Sequence, residues 1–419
     1  MLSVAVIAAS VVSILSLSVD VEQQKLCDAP ETPKSGVPGG GLPFVLDREA
    51  ADALDARWRC GGSRAALARA LVPYAIAQHD SGGGTNSSSP FAPISGYRVG
   101  MVASGASGAM YMGVNLEFHG PAAMGSTVHG EQMTVALAAQ HNETGMTWLA
   151  GRGSGMPCGH CRQFLSELRN ASNLGLAGTD AAETTLGASF PQPFGPAALN
   201  NTCPLLDRRA ACAPRPFPPL LASVSAKPRL GAYGMRRHLR GGSSAPSRSL
   251  LVSLRALQQE AWSTAALSYA PYTGRRAGVA LRARTHANSS SGDRRSGGNS
   301  ADARTIVVGG GVIESVAYNP TLPPLQVALA ALLSRGVRDW GLIEEAVLVE
   351  EDGGRTSLTS SAGAALGGGR VGAVAGKCVY CYSTEALMRA IAPNASLHTL
   401  VLAPDGSGRD GLDEILPCG

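Results

Sequence analysis

Two short stretches hold residues whose types and spacing could bind a metal and move a proton. One is TVHGEQ at 127–132 and the other is MPCGHCRQFL at 156–165, with Cys158 placed 27 positions after Glu131. Cys158 and Cys161, three apart where a helix opens, bring two sulfurs to one point, and the free N–H groups and dipole of that helix favour thiolate. His129 adds a neutral imidazole, so three protein ligands leave a fourth position for water, as a catalytic zinc requires. Two thiolates and an imidazole suit Zn²⁺ better than a hard, oxygen-seeking cation. Glu131 stands two residues from His129, and on a regular helix the two would point apart. Both reach one metal only at an irregular helix start, which sets Glu131 beside the bound water in the place of a proton shuttle.

The surrounding pattern supplies the elements that must hold these groups. Helical spacing over 47–77, broken at Gly61 and Gly62, predicts two short helices. After the Ser/Gly-rich DSGGGTNSSSP come a strand at 97–103, a turn at 104–108 and a strand at 109–118, forming a hairpin. A helix at 128–139, a strand at 146–150 and a helix opening at Cys158 and running through RQFLSELRN follow. Residues 202–248, rich in Pro, Arg and Ser, read as a linker, and 288–304 and 353–369 read as loop insertions. Around them the order returns as helix 250–269, strands 278–282 and 305–317, helix 325–334, strand 346–349 and helix 384–391. That return is a diverged internal duplication.

Composition sets broad bounds. A chain of 419 residues has room for two domains, and 52 Gly with 26 Pro predict long irregular insertions between folded cores. A formal net charge of +4 is too small to predict polyanion binding. Nine cysteines, an odd number, argue against a pure disulfide scaffold. The pairs Cys158/Cys161 and Cys378/Cys381 point to metal or redox chemistry in a reducing compartment, with Cys27, Cys60, Cys203, Cys212 and Cys418 as scattered free thiols. Residues 2–19 are apolar or small and uncharged, yet lack the basic start of a secretory signal and the Arg-rich character of a transit peptide. They leave a targeted or anchored form open beside a cytoplasmic one.

HxE followed by PCxxC is the signature of zinc nucleoside and nucleobase deaminases. With GVNLEF at 113–118, these motifs resemble the cytidine deaminases of the long, two-domain type over about 42–404. The resemblance implies an α/β fold of tandem α/β/α sandwich deaminase domains, each a mixed sheet flanked by helices, the second copy degenerate. The extents expected are an N-terminal extension at 1–42, a helical lead-in at 43–80, the catalytic zinc domain at 90–200, a linker at 201–248, the degenerate copy at 249–405 and a tail at 406–419. It implies hydrolytic deamination of cytidine and deoxycytidine to uridine and deoxyuridine with release of ammonia in pyrimidine salvage, by attack of hydroxide at C4. The site would hold one Zn²⁺ on His129, Cys158 and Cys161, with Glu131 as the catalytic residue. Asn115 and Glu117 match the family's contacts to the ribose 3′-hydroxyl, and Tyr97 matches an aromatic position beside the pyrimidine. The carbonyls of Met156 and Cys158 would accept from the cytosine amino group, and Phe194 resembles a residue near the pocket. A homodimer is implied, with neither nucleic acid nor a stable membrane association expected. At the second copy's counterparts of His129 and Glu131 stand Pro323 and Leu325, which can neither bind zinc nor move a proton.

Two departures from the family pattern bear on the pocket wall: Gly130 replaces the usual Ala, and the stretch from Glu117 to His129 is one residue longer. Other chemistry-bearing residues have plainer readings. His141 and Glu143 repeat HxE in what reads as a surface loop, Cys378 and Cys381 read as thiols, and His160 reads as a packing residue. Arg162 reads either as a partner of a ligand sulfur or as a solvated side chain. The cluster Arg236, Arg237, His238 and Arg240 reads as solvated linker. Two rival functions remain open: a zinc-stabilised binding or scaffold protein without activity, and a polynucleotide-editing cytosine deaminase. Asn115 and Glu117, gripping a free 3′-hydroxyl, argue against the second.

Overall fold

The structure, a computed structural model, describes residues 27–30, 33, 37–80, 90–120, 123–207, 209–212, 216–218, 248–285, 304–352, 378–402 and 408–409. The N-terminal apolar stretch, Cys418, the basic cluster at 236–240 and most of both insertions lie outside the described residues.

Helix α1 (Arg48–Trp58) starts where the Asp47 side chain accepts from Ala50 N–H, and it stops at Arg59, which turns left-handed. Helix α2 (Arg64–Ala77) is capped in the same way by Ser63. These caps occupy backbone donors that a helix start leaves without partners. A six-stranded sheet follows in the order β1-β3-β2-β4-β5-β6, built from Val45–Leu46, Gly100–Gly105, Met110–Val114, Met146–Gly151, Gly175–Gly178 and Thr184–Thr185, numbered in chain order. Only β4 and β5 run parallel. At the centre Val102 faces Met112 on one side and Ala150 on the other. Between these strands come α3 (Ala123–Ser126), α4 (Gly130–Gln140) and α5 (Gly159–Leu165), and the short α6 (Leu186–Ser189) follows β6.

Helices α2 and α4 cover opposite faces of this sheet. A Cβ on Gly100 would strike Ile76 of α2, whereas one on Gly113 would strike the carbonyl of Gly130 in α4. The second half repeats the plan. Helix α7 (Arg248–Ala266) and α8 (Pro324–Ser334) sandwich a five-stranded sheet ordered β11-β10-β9-β7-β8. Its strands are β7 (Ala277–Thr285), β8 (Arg304–Gly311), β9 (Ile343–Glu351), β10 (Ser396–Leu402) and β11 (Gly408–Arg409). Helix α9 (Cys381–Ile391) links β9 to β10, which run parallel. Alternation along β8 sets Gly309 and Gly311 against α7 and Gly310 against α8. Helices α4 and α8 pack on each other, so one apolar core runs through both halves. A smaller cluster, including Leu257, Val347 and Leu402, lies under α7. Among the described residues no helix is long and apolar enough to cross a membrane.

The junction carries polar clasps as well as apolar packing. Glu167 is fully buried and accepts from Tyr269 Oη at 3.1 Å, from Val316 N at 2.6 Å and from Tyr272 Oη. Gln132 Nε2 donates to Pro320 O at 2.9 Å, and Gln140 Nε2 donates to Val327 O at 3.0 Å.

The cysteines require a correction. Six of the nine form the disulfides Cys27–Cys60, Cys203–Cys212 and Cys378–Cys381, so Cys27, Cys60, Cys203, Cys212, Cys378 and Cys381 are not free thiols. Sequence spacing missed the first because it joins the segment ahead of α1 to the turn after it, a contact made only by folding. Scattered unpaired thiols therefore lend no support to a reducing compartment. A second correction concerns Glu143, which is buried and accepts from Ser107 N at 3.2 Å and from Tyr111 Oη at 3.1 Å. It ties the β2–β3 turn to the end of α4, while His141 stays exposed.

Candidate metal centre

His129 is the last non-helical residue before α4 (φ −82°, ψ 154°), and Cys158 holds the same place before α5 (φ −65°, ψ 169°). Gln132 accepts from the His129 N–H at 3.1 Å, and Leu116 pairs with Val128 across an antiparallel bridge. Together they fix the backbone on both sides of the imidazole. The extended backbone at His129 lets its ring and the Glu131 side chain turn to one side.

One ligand atom each from His129, Cys158 and Cys161 lies within 4.8 Å of the others, and His129 Nδ1 is 3.6 Å from Cys158 Sγ. Zinc bonds of about 2.3 Å to sulfur and about 2.0 Å to nitrogen, at tetrahedral angles, separate the two atoms by roughly 3.5 Å. The spacing is thus that of one edge of a zinc tetrahedron. Cys161 is buried and Cys158 is exposed, so the cluster meets solvent on the Cys158 side.

Charge in the cluster follows from contact and burial. Hydrogen bonds from Cys161 and His129 hold the Cys158 thiol down to about 3, whereas its hydrogen bond to Cys158 and then burial push Cys161 up. A metal held by these residues would bind them as thiolates, with release of protons. The neighbouring Cys158 raises His129. Glu131 is 7% exposed, and burial raises its carboxyl above the usual range. A carboxyl raised in this way is easier to protonate than a solvated one, as a group that takes and returns protons needs to be.

The other expected site residues fall into two groups. Asn115, 7% exposed, accepts from Val99 N at 3.0 Å and donates to Tyr97 O at 3.0 Å. Glu117 accepts from Ile94 N at 3.0 Å and Ser95 N at 2.9 Å, and the Ser95 hydroxyl and amides hold its carboxyl low against the opposing effect of burial. Both residues brace the loop at 94–99. Tyr97, Met156 and Phe194 are exposed, at 70%, 38% and 50%. Phe194 is anchored through its carbonyl, which accepts from Gln163 Nε2 at 2.7 Å. His160 stacks on His129 with ring centroids 4.9 Å apart. Arg162 donates to Ser189 O at 2.8 Å instead of lying in solvent.

Glu314, in the second half, plays the part of Glu117. It accepts from Tyr272 N at 2.9 Å and Thr273 N at 3.2 Å, and Ile313 pairs with Leu322 as Leu116 pairs with Val128. The signal for this brace was present in sequence as FAPISG at 91–96 and YAPYTG at 269–274. Pro323 and Leu325 take the places of His129 and Glu131 at the start of α8.

Cytidine deaminases of several bacteria are similar to this chain. That of Vibrio cholerae is 32% identical over 276 residues, covering 66% of this chain and 74% of the relative. That of Serratia proteamaculans is 31% identical over 311 residues, covering 74% and 81%. The chain belongs to the cytidine deaminase family. The family model described as the cytidine and deoxycytidylate deaminase zinc-binding region matches residues 298–363, which lie in the second half. The likeness to a zinc-binding region thus persists where Pro323 and Leu325 have replaced the groups that would serve a metal. Solved cytidine deaminase structures also match in part. That from Burkholderia pseudomallei is 25% identical and covers 25% of this chain and 87% of its own, with a TM-score of 0.22. That from Mycobacterium leprae is 20% identical and covers 39% and 97%, with a TM-score of 0.21. Membership of the family follows from the sequence relatives. Zinc is the metal of this family, and the His/Cys/Cys donor set of the first half fits it.

Proposed function

We propose that this chain hydrolyses the C4–amino bond of cytidine and deoxycytidine, giving uridine and deoxyuridine with ammonia, as a pyrimidine-salvage enzyme. The observation that carries this reading is the convergence of His129, Cys158 and Cys161 beside the buried carboxyl of Glu131. These three residues hold one zinc per chain, which when bound supplies the Lewis acidity that makes water a nucleophile near neutral pH. Glu131 takes a proton from the attacking water and passes it to N3 of the pyrimidine, then takes a second from the new C4 hydroxyl and delivers it to the departing amine.

Asn115 and Glu117, which also brace the loop at 94–99, bind the ribose 3′-hydroxyl. Tyr97 and Phe194 flank the base, and the carbonyls of Met156 and Cys158 accept from its amino group. The catalytic unit spans 90–200 and its degenerate copy 249–405. Exposed Tyr97, Met156 and Phe194 leave an apolar rim that a second copy covers in a homodimer.

The test is to incubate purified protein with cytidine and deoxycytidine and follow uridine and ammonia with and without a zinc chelator. Turnover lost with the chelator and restored by zinc supports the proposal. Zinc-loaded protein that deaminates an oligonucleotide but neither nucleoside would replace it with an editing activity.

A further inference from the structure

Cys378 and Cys381 stand in the second half about where Cys158 and Cys161 stand in the first, at the start of the helix that follows a central strand, but shifted by two residues toward the helix N-terminus. Their setting differs in ways that matter chemically. They are joined as a disulfide, and Pro323 and Leu325 offer no ligand atom nearby. Beneath them lies Glu350 of β9, fully buried. Its carboxylate accepts from Val379 N at 2.8 Å and Tyr380 N at 3.0 Å, and Oε2 lies 3.2 Å from Cys378 Sγ. Arg275 Nη1 approaches the same carboxylate at 3.5 Å.

The two sulfurs are unequal. Cys381 is 1% exposed and is the first residue of α9, an eleven-residue helix, whereas Cys378 is partly exposed. Val379 and Tyr382, next to the two cysteines in sequence, are exposed apolar side chains. A C-x-x-C in a strand–helix–strand crossover, with one cysteine partly exposed, the other at a helix N-terminus and a buried carboxyl behind them, has the parts that sulfur exchange needs.

We propose that Cys378 and Cys381 form a thiol–disulfide exchange centre whose substrates are thiols, with Glu350 as its proton relay. In the reductive direction an incoming thiolate attacks Cys378 Sγ. The bond between the two cysteine sulfurs breaks, and its electron pair leaves on Cys381, where the amides of α9 stabilise the charge until solvent supplies a proton. A second thiolate then attacks the incoming sulfur of the mixed disulfide and expels Cys378, whose proton passes through Glu350: the carboxylate picks up a proton released by the incoming thiols and hands it to Cys378 Sγ, 3.2 Å away, ending unprotonated as it began. Two thiols become one disulfide, and the protein gains two electrons and two protons.

Glutathione serves as the probe, with folded, zinc-loaded protein. In Cys381→Ser, oxidised glutathione forms a stable adduct of one glutathione on Cys378, located by mass spectrometry, and Cys378→Ser forms none at that loop. Wild type, in which Cys381 resolves the adduct, releases glutathione at least about tenfold faster than Cys381→Ser. Glu350→Gln slows the exchange, and if that variant does not fold the serine variants still decide the matter. Absence of the adduct in Cys381→Ser would overturn the proposal. So would reduction of the pair only after unfolding, or a second zinc per chain bound by the reduced pair.

Discussion

At the scale of single residues, the metal centre was legible because few residue types bind zinc and their spacing has a geometric reason. His129 and Cys158 each stand at the last extended position before a helix, as a motif of ligands at helix starts requires. Replacing Cys161, the buried ligand, with Ser should lower zinc content from one per chain to near none by metal analysis. Glu143 was not legible, since its partners Ser107 and Tyr111 lie on a hairpin more than thirty residues away. His79 is a second group that sequence left silent. It is buried, its Nε2 lies 3.0 Å from Val99 O, and burial brings its pKa down to about 4 from 6.5. The unfolded chain therefore binds a proton that the folded chain refuses between those values. The stabilisation is present in full above pH 6.5 and is lost as pH falls through about 4. At 1.36 kcal/mol per unit the linkage amounts to about 3 kcal/mol. Thermal melts from pH 7 to 4 should show wild type losing more stability than His79→Asn.

At the scale of elements, long periodic segments were read correctly in kind, with ends shifted by a few residues. The first helix pair, the hairpin, α4, β4, α7 and α8 all stand where the pattern put them. The strands β5 and β10 were missed. Gly175–Gly178 reads GLAG and has too little bulk to show a strand period, and Ser396–Leu402 follows the α9 pattern with only a short turn between. Helix α5 ends at Leu165, short of the run through RQFLSELRN, because the chain turns there to bury Glu167. Gly113 shows how closely an element must approach the site. A Cβ there would sit 2.1 Å from the carbonyl of Gly130, the first residue of α4. Gly113→Ala should displace that helix start, and zinc affinity should fall about 10–100-fold, as for other losses of support around metal ligands. Unchanged zinc binding in competition with a chelating dye would show that α4 tolerates the shift.

At the scale of the whole molecule, the duplication was visible in sequence, but the way the halves join was not. Packing of α4 on α8 places the zinc-bearing helix against its own degenerate counterpart, and Glu167 closes the junction by accepting from Tyr269, Tyr272 and Val316. Nothing local to Glu167 announces partners about a hundred residues away or more. Glu167→Ala leaves those donors buried without an acceptor and should cost about 3 kcal/mol, read as a lower denaturant midpoint. Catalysis in the whole molecule turns on Glu131 moving protons at a zinc held by the first half alone. The most direct measurement is zinc content and uridine formation in Glu131→Gln beside wild type. The account predicts one zinc per chain in both proteins, with cytidine turnover lower by about 10²–10⁴-fold or more in the variant. Normal turnover in Glu131→Gln would contradict it.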